Sequence, residues 1–127
     1  MIMDNINNTV QYDNVLTLEP EDLVHWLNDN FAEDIPTSVS TVDDLKKAGE
    51  LLGKLANIYS YLSTLALYAK LKTREAKKDK GNKEEIDKAV DRKEIINSYV
   101  DMAKFQYTAL SRMITVKKQI DDEMNFI

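Results

Sequence analysis

His25 is the one histidine of the chain and cysteine is absent, so a nucleophilic site would have a single base to draw on and no thiolate to activate. Its neighbours Val24 and Trp26 set that histidine in an amphipathic segment, where it reads as a structural or surface residue. The carboxylates of Asp121, Asp122 and Glu123 are hard oxygen ligands of the kind a divalent cation takes. Consecutive residues on a helix diverge, however, so the triplet reads as a solvated C-terminal face. The Glu-x-x-His pairs that hold two irons inside four-helix bundles are missing. So are the glycine-rich phosphate loops and the calcium-loop pattern. The expectation is a non-enzyme with no catalytic residues, no cofactor and no metal.

What remains is the chemistry of charge and apolar contact, concentrated in two places. In EPEDLVHWLNDNFAED, residues 19–34, acidic groups surround aromatic ones. Aromatic anchors supply contact energy and carboxylates steer association, so Glu21, Asp22, Trp26, Asp29, Phe31, Glu33 and Asp34 are expected to bind a partner with a basic groove. Such a helix would mimic nucleic-acid charge against a DNA-binding target. Packing on its own hairpin or on a second copy is the competing reading. The other place is KLKTREAKKDKGNK, residues 70–83, where Lys70, Lys72, Arg74, Lys77, Lys78, Lys80 and Lys83 outnumber Glu75 and Asp79. A cluster of this kind binds phosphates by counterion release, without reading sequence. It holds no aromatic to stack a base, so a solubilising loop or a dock for the acidic arm is the plainer alternative.

The elements that must position these groups follow from length and pattern. A chain of 127 residues fits one folded unit with an arm. Its net charge of -5 hides an asymmetry: residues 1–45 carry ten acidic residues and no Lys or Arg, while the remainder carries 17 basic against 12 acidic. No apolar run approaches the ~18 residues that a membrane span needs, and the start MIMDNINNTV lacks the basic and apolar regions of a signal peptide. A cytoplasmic protein that does not touch membranes is expected.

Residues 1–18, rich in asparagine, read as an irregular or extended arm. Pro20 suits a first helical turn, and Leu23, Leu27 and Phe31 recur every four residues, predicting a short helix over about 20–31. Ile35-Pro36 ends that pattern and residues 37–41 form a polar linker. Ser40 or Thr41 can cap the next helix, with Asp43 and Asp44 complementing its dipole. Leu45, Ala48, Leu52, Leu55, Tyr59, Leu62, Ala66 and Ala69 alternate steps of three and four, a coiled-coil-like seam. The helix is expected over about 42–77, and Gly81-Asn82 turns the chain. A second long helix over about 84–124 carries the rows Ile96, Tyr99, Ala103, Leu110, Met113 and Ile95, Met102, Ala109, Val116, Ile120. Gly49 and Gly53 each weaken a helix by roughly 1 kcal/mol, and close approach of another helix, the short acidic one in particular, is the expected compensation.

The predicted fold is all-α: an arm of residues 1–41 with its short helix, and a two-helix antiparallel hairpin over residues 42–127. The apolar faces are wider than one partner helix can cover. Ile58, Tyr61, Leu65 and Tyr68 are therefore expected to stay exposed and to form an oligomer interface, giving a four-helix dimer.

The stretches YSYLSTLALYAKLKTREAK and DRKEIINSYVDMAKFQYTALSRMITVKKQ resemble small helical accessory and early proteins encoded by phages of Gram-positive bacteria, over about residues 43–124. That resemblance implies a bacterial host cell and a host or phage protein as partner. The expected function is a protein-binding module that modulates or inhibits a host protein handling nucleic acid. The alternative is a nucleic-acid-binding accessory protein of phage replication or recombination that uses the Lys-rich end.

Overall fold

The computed structural model describes residues 8–79 and 82–125. Four helices follow one another: α1 (Asn8–Val15), α2 (Pro20–Phe31), α3 (Val42–Lys78) and α4 (Lys83–Asn125). No strand occurs among the described residues, and α3 packs against α4 as the long hairpin read from the sequence. The expected turn residue Gly81 and the segment before Asn8 lie outside the described residues.

The ends of α3 are written in local chemistry. Thr41 accepts a hydrogen bond from the backbone N–H of Asp44 at 3.0 Å, while Asp44 Oδ2 accepts from the N–H groups of Thr41 and Ser40, each at 3.2 Å. Three backbone donors are thereby satisfied, those of Thr41 and Asp44 reciprocally, with aspartate in the place usually held by glutamate. These bonds, the one to the Ser40 backbone foremost, hold the Asp44 carboxyl below the usual carboxylate range. At the start of α4 the Asn82 side chain accepts from the N–H of Glu85 at 2.8 Å, the capping role asparagine commonly takes.

The buried rows keep a seven-residue step on both long helices: Ala48, Leu55, Leu62 and Ala69 on α3, and Ala89, Ile96, Ala103 and Leu110 on α4. A strict heptad row keeps one seam toward the partner helix. The eight-residue row expected on α3 is thus half right. Leu45, Leu52 and Ala66 are only half-buried and Tyr59 is exposed, because the core extends the other way, onto Ile58 and Leu65.

Two compact units are formed, one from residues up to Ala32 with Tyr61–Val100 and one from Glu33–Ser60 with residues from Asp101 onward. The arm is therefore not separate from the hairpin, as a boundary at residue 41 would have it. In the first unit α2 buries Leu23, Leu27 and Phe31, the row its sequence announces. Residues 8–15 are helical, not irregular. The reason is tertiary: Tyr12, Val15 and Leu16, at the i, i+3, i+4 spacing of one helix face, are buried, and that burial overrides the weak propensity of an asparagine-rich segment. The Thr73 hydroxyl lies 2.8 Å from the Ala69 carbonyl and 3.2 Å from that of Ala89, tying α3 to α4 near their junction.

Gly49 and Gly53 correct another expectation. A Cβ built on either would meet nothing within 4 Å, so no close packing among the described residues compensates these glycines.

Candidate functional site

The acidic-aromatic segment turns its anchors inward. Phe31 is buried, and its ring lies 5.0 Å from that of Tyr61 and 5.5 Å from that of Trp26. Trp26 is half-buried beside them. Glu33 pairs with Lys54, and its backbone carbonyl accepts from Gln106 Nε2 at 3.0 Å. Of the seven residues expected to bind a partner, Phe31 and Glu33 are thus committed to contacts within the chain. Glu21, Asp22, Asp29 and Asp34 remain exposed, but without free aromatic anchors they are solvated charges. A helix whose apolar row already packs cannot offer that row elsewhere.

The expected oligomer interface is covered in the same way. Ile58 and Leu65 are core residues, while Tyr61 and Tyr68 are half-buried under α1. Tyr12 places its ring 5.0 Å from Tyr68 and 5.1 Å from Tyr61. The Tyr61 hydroxyl is enclosed with no hydrogen-bond partner, and burial raises its phenol above the ordinary value. These four residues are withdrawn as an interface: Ile58 and Leu65 are buried within the chain, and the Tyr12 ring packs on Tyr61 and Tyr68.

Sequence reasoning missed the polar residues of α4 that hold the arm. Lys88 Nζ lies 3.2 Å from a Glu19 carboxylate oxygen and 3.5 Å from Glu84. Arg92 Nε donates to the Leu18 carbonyl at 2.7 Å, and the Tyr99 hydroxyl donates to the Asn28 side chain. Arg92 and Tyr99 stand seven residues apart, and that spacing beside the apolar heptad was the available signal.

Most of the Lys-rich end is free. Lys70, Arg74, Lys77, Lys78 and Lys83 are exposed and make no ion pair with a described residue, whereas Lys72 lies 3.6 Å from Asp13 and 4.0 Å from Glu75. Lys80 falls outside the described residues.

Apart from single residues such as Leu67 and Leu71 on α3, the uncovered apolar side chains gather on the second half of α4. Met102, Phe105, Val116, Ile120 and Met124 are exposed, Phe105 at 72% and Met124 at 68%. At about 100° per residue all five fall within about 100° of arc on one face of the helix. Ala109, half-buried, sits on the same face. A groove of about 330 Å³ borders it, floored by Val39, Met113, Val116 and Ile120 with Arg112 and Lys117 at the edge. Lys117 is paired with Asp121 at 2.7 Å. One member of the DDE triplet thus serves an ordinary helix-surface pair, and no cluster of metal-ligating side chains occurs among the described residues. No described helix is long and apolar enough to cross a membrane.

Fold and surface together define an all-helical hairpin that an N-terminal arm packs against, with an apolar stripe on one helix. No protein-family model, curated protein or solved structure matches the chain.

Proposed function

We propose that the chain is a non-enzymatic protein-binding module whose contact face is the stripe Met102–Phe105–Ala109–Val116–Ile120–Met124, and that it self-associates through that face. One observation carries the reading: after the arm has covered the tyrosines of α3, the second half of α4 still exposes five large apolar residues on one side. Apolar side chains left exposed along one helix face are typical of interfaces. The resemblance to phage-encoded helical proteins extends the proposal to a role in a bacterial host cell, modulating or inhibiting a host protein that handles nucleic acid.

Light scattering across micromolar concentrations tests the self-association. A dimer that becomes a monomer on Phe105→Ser supports it. A monomer throughout, together with a pull-down from host lysate that Phe105→Ser leaves unaltered, overturns the contact face.

A second reading has its own support in the exposed, unpaired cations Lys70, Arg74, Lys77, Lys78 and Lys83: a nucleic-acid-binding accessory protein. Binding to single- and double-stranded DNA that weakens steeply with salt, and that is lost on charge reversal at Lys77, Lys78 and Lys83, favours it. Salt-independent or absent binding excludes it.

A further inference from the structure

We propose that α1 is a detachable strap seated on a helix-docking surface of the hairpin, which a partner helix presenting α1's contact pattern can occupy in its place. The proposal does not depend on the α4 stripe.

Three observations support it. First, α1 is eight residues long, with no acidic residue in its first turn and no basic residue in its last. A helix that short is marginal without tertiary contacts, since isolated helices below about 12–15 residues scarcely form. From residues 11–16 it is held by the buried side chains Tyr12, Val15 and, just past the helix, Leu16, a hydrogen bond between Tyr12 and Thr64, and the exposed Asp13–Lys72 pair. Arg92 grips the chain only beyond the helix, at the Leu18 carbonyl, so α1 can leave while α2 stays packed.

Second, the seated strap helps to enclose an unsatisfied group. The Tyr61 hydroxyl is buried without a partner, on a ring that lies against those of Tyr12, Trp26 and Phe31. A buried polar group left unpaired opposes the closed state, and loss of Tyr12 removes one of the three rings packed on Tyr61.

Third, the uncovered surface would be larger than the strap's footprint. Leu71, already exposed, is three residues from Tyr68, and exposed Leu67 is one turn earlier. Positions three and four apart are neighbours on a helix, so lifting α1 joins Tyr61 and Tyr68 to Thr64, Leu67 and Leu71.

The seated strap also specifies the occupant. It reads as an aromatic residue, an acid next to it, and aliphatic residues three and four positions on: Tyr12, Asp13, Val15 and Leu16. A partner helix with that pattern would set its aromatic ring on Tyr61 and Tyr68 and its acid beside Lys72.

Amide hydrogen exchange and a peptide test this on the full chain. In the wild type the amides of residues 11–16 exchange faster than those of Leu62 and Ile96. Tyr61→Phe keeps the ring, removes the unpaired hydroxyl, and slows exchange in α1 by roughly five- to hundredfold, the range set by the cost of a buried unpaired group. Tyr12→Ala removes the protection of α1 while circular dichroism shows the hairpin helices intact. A synthetic peptide of residues 8–18, NTVQYDNVLTL, then binds the Tyr12→Ala chain at least tenfold more tightly than the wild type, and added Lys72→Glu weakens it. The strap is refuted if α1 exchanges only with global unfolding, or if Tyr61→Phe leaves its exchange unchanged or faster. Failure of the peptide to bind the Tyr12→Ala chain refutes the docking surface.

Discussion

Phe105 and Leu110 stand five residues apart on α4, one 72% exposed and the other fully buried, and exchanging each for a smaller residue should separate association from stability. An aromatic side chain presents roughly 150–250 Å² for burial. With 72% of Phe105 open, about 110–180 Å² remains to be covered, about 3–4.5 kcal/mol at about 25 cal/mol per Å². Binding through the stripe should therefore weaken about 100-fold or more in Phe105→Ser, since each 1.4 kcal/mol is about tenfold. Serine and phenylalanine have similar helix propensity, so the isolated fold should change by no more than about 0.5 kcal/mol. Leu110→Ala should do the opposite, costing about 2.7–5 kcal/mol of stability through lost burial and a residual cavity. Urea denaturation at low protein concentration measures the stability, and light scattering over a concentration series measures the association. If Phe105→Ser destabilises the chain as much as Leu110→Ala does while association is unchanged, Phe105 is a core residue and the contact face is wrong.

Gly49→Ala and Gly53→Ala should each stabilise the protein by roughly 1 kcal/mol in urea denaturation, because alanine is the better helix former and a Cβ there meets nothing within 4 Å. A loss of stability or of self-association would reveal a close approach at that face. Asp44 should contribute to acid sensitivity: its folded pKa lies below the ordinary 3.8, so its stabilisation is fully present above that value and is lost as pH falls through the lowered one. Urea midpoints from pH 7 to pH 3 should show Asp44→Asn flattening the decline below about pH 4 and leaving the slope between pH 7 and pH 5 unchanged. Thr41→Ala, which removes the other half of the same cap, should cost about 1 kcal/mol near neutral pH by the same denaturation.

The helices were legible because their signals are local. Pro20 and the four-residue row Leu23, Leu27, Phe31 placed α2 at its observed bounds, and Thr41 with Asp44 fixed the start of α3 through bonds spanning three residues. Seven-residue spacing on both long segments implied a hairpin, since a helical period needs no knowledge of the partner to be read.

What the period could not tell was which apolar residues the chain would use on itself. Tyr61 and Tyr68 were expected to form the exposed interface, whereas Met102 was only one member of an apolar row on α4 and Phe105 carried no expectation. Only the docking of α1 and α2 covered the tyrosines and left the α4 stripe open. The asparagine-rich stretch gave no helical signal of its own, because α1 depends on burying Tyr12, Val15 and Leu16 against distant residues. The aromatic residues of α2 were rightly identified as anchors, but the surface they anchor to proved to be their own hairpin. Sequence alone thus determined where helices form and which side of each is apolar. Which of those sides meet was decided by tertiary structure, because apolar attraction is non-directional and shape and chain connectivity select among the faces that could pair.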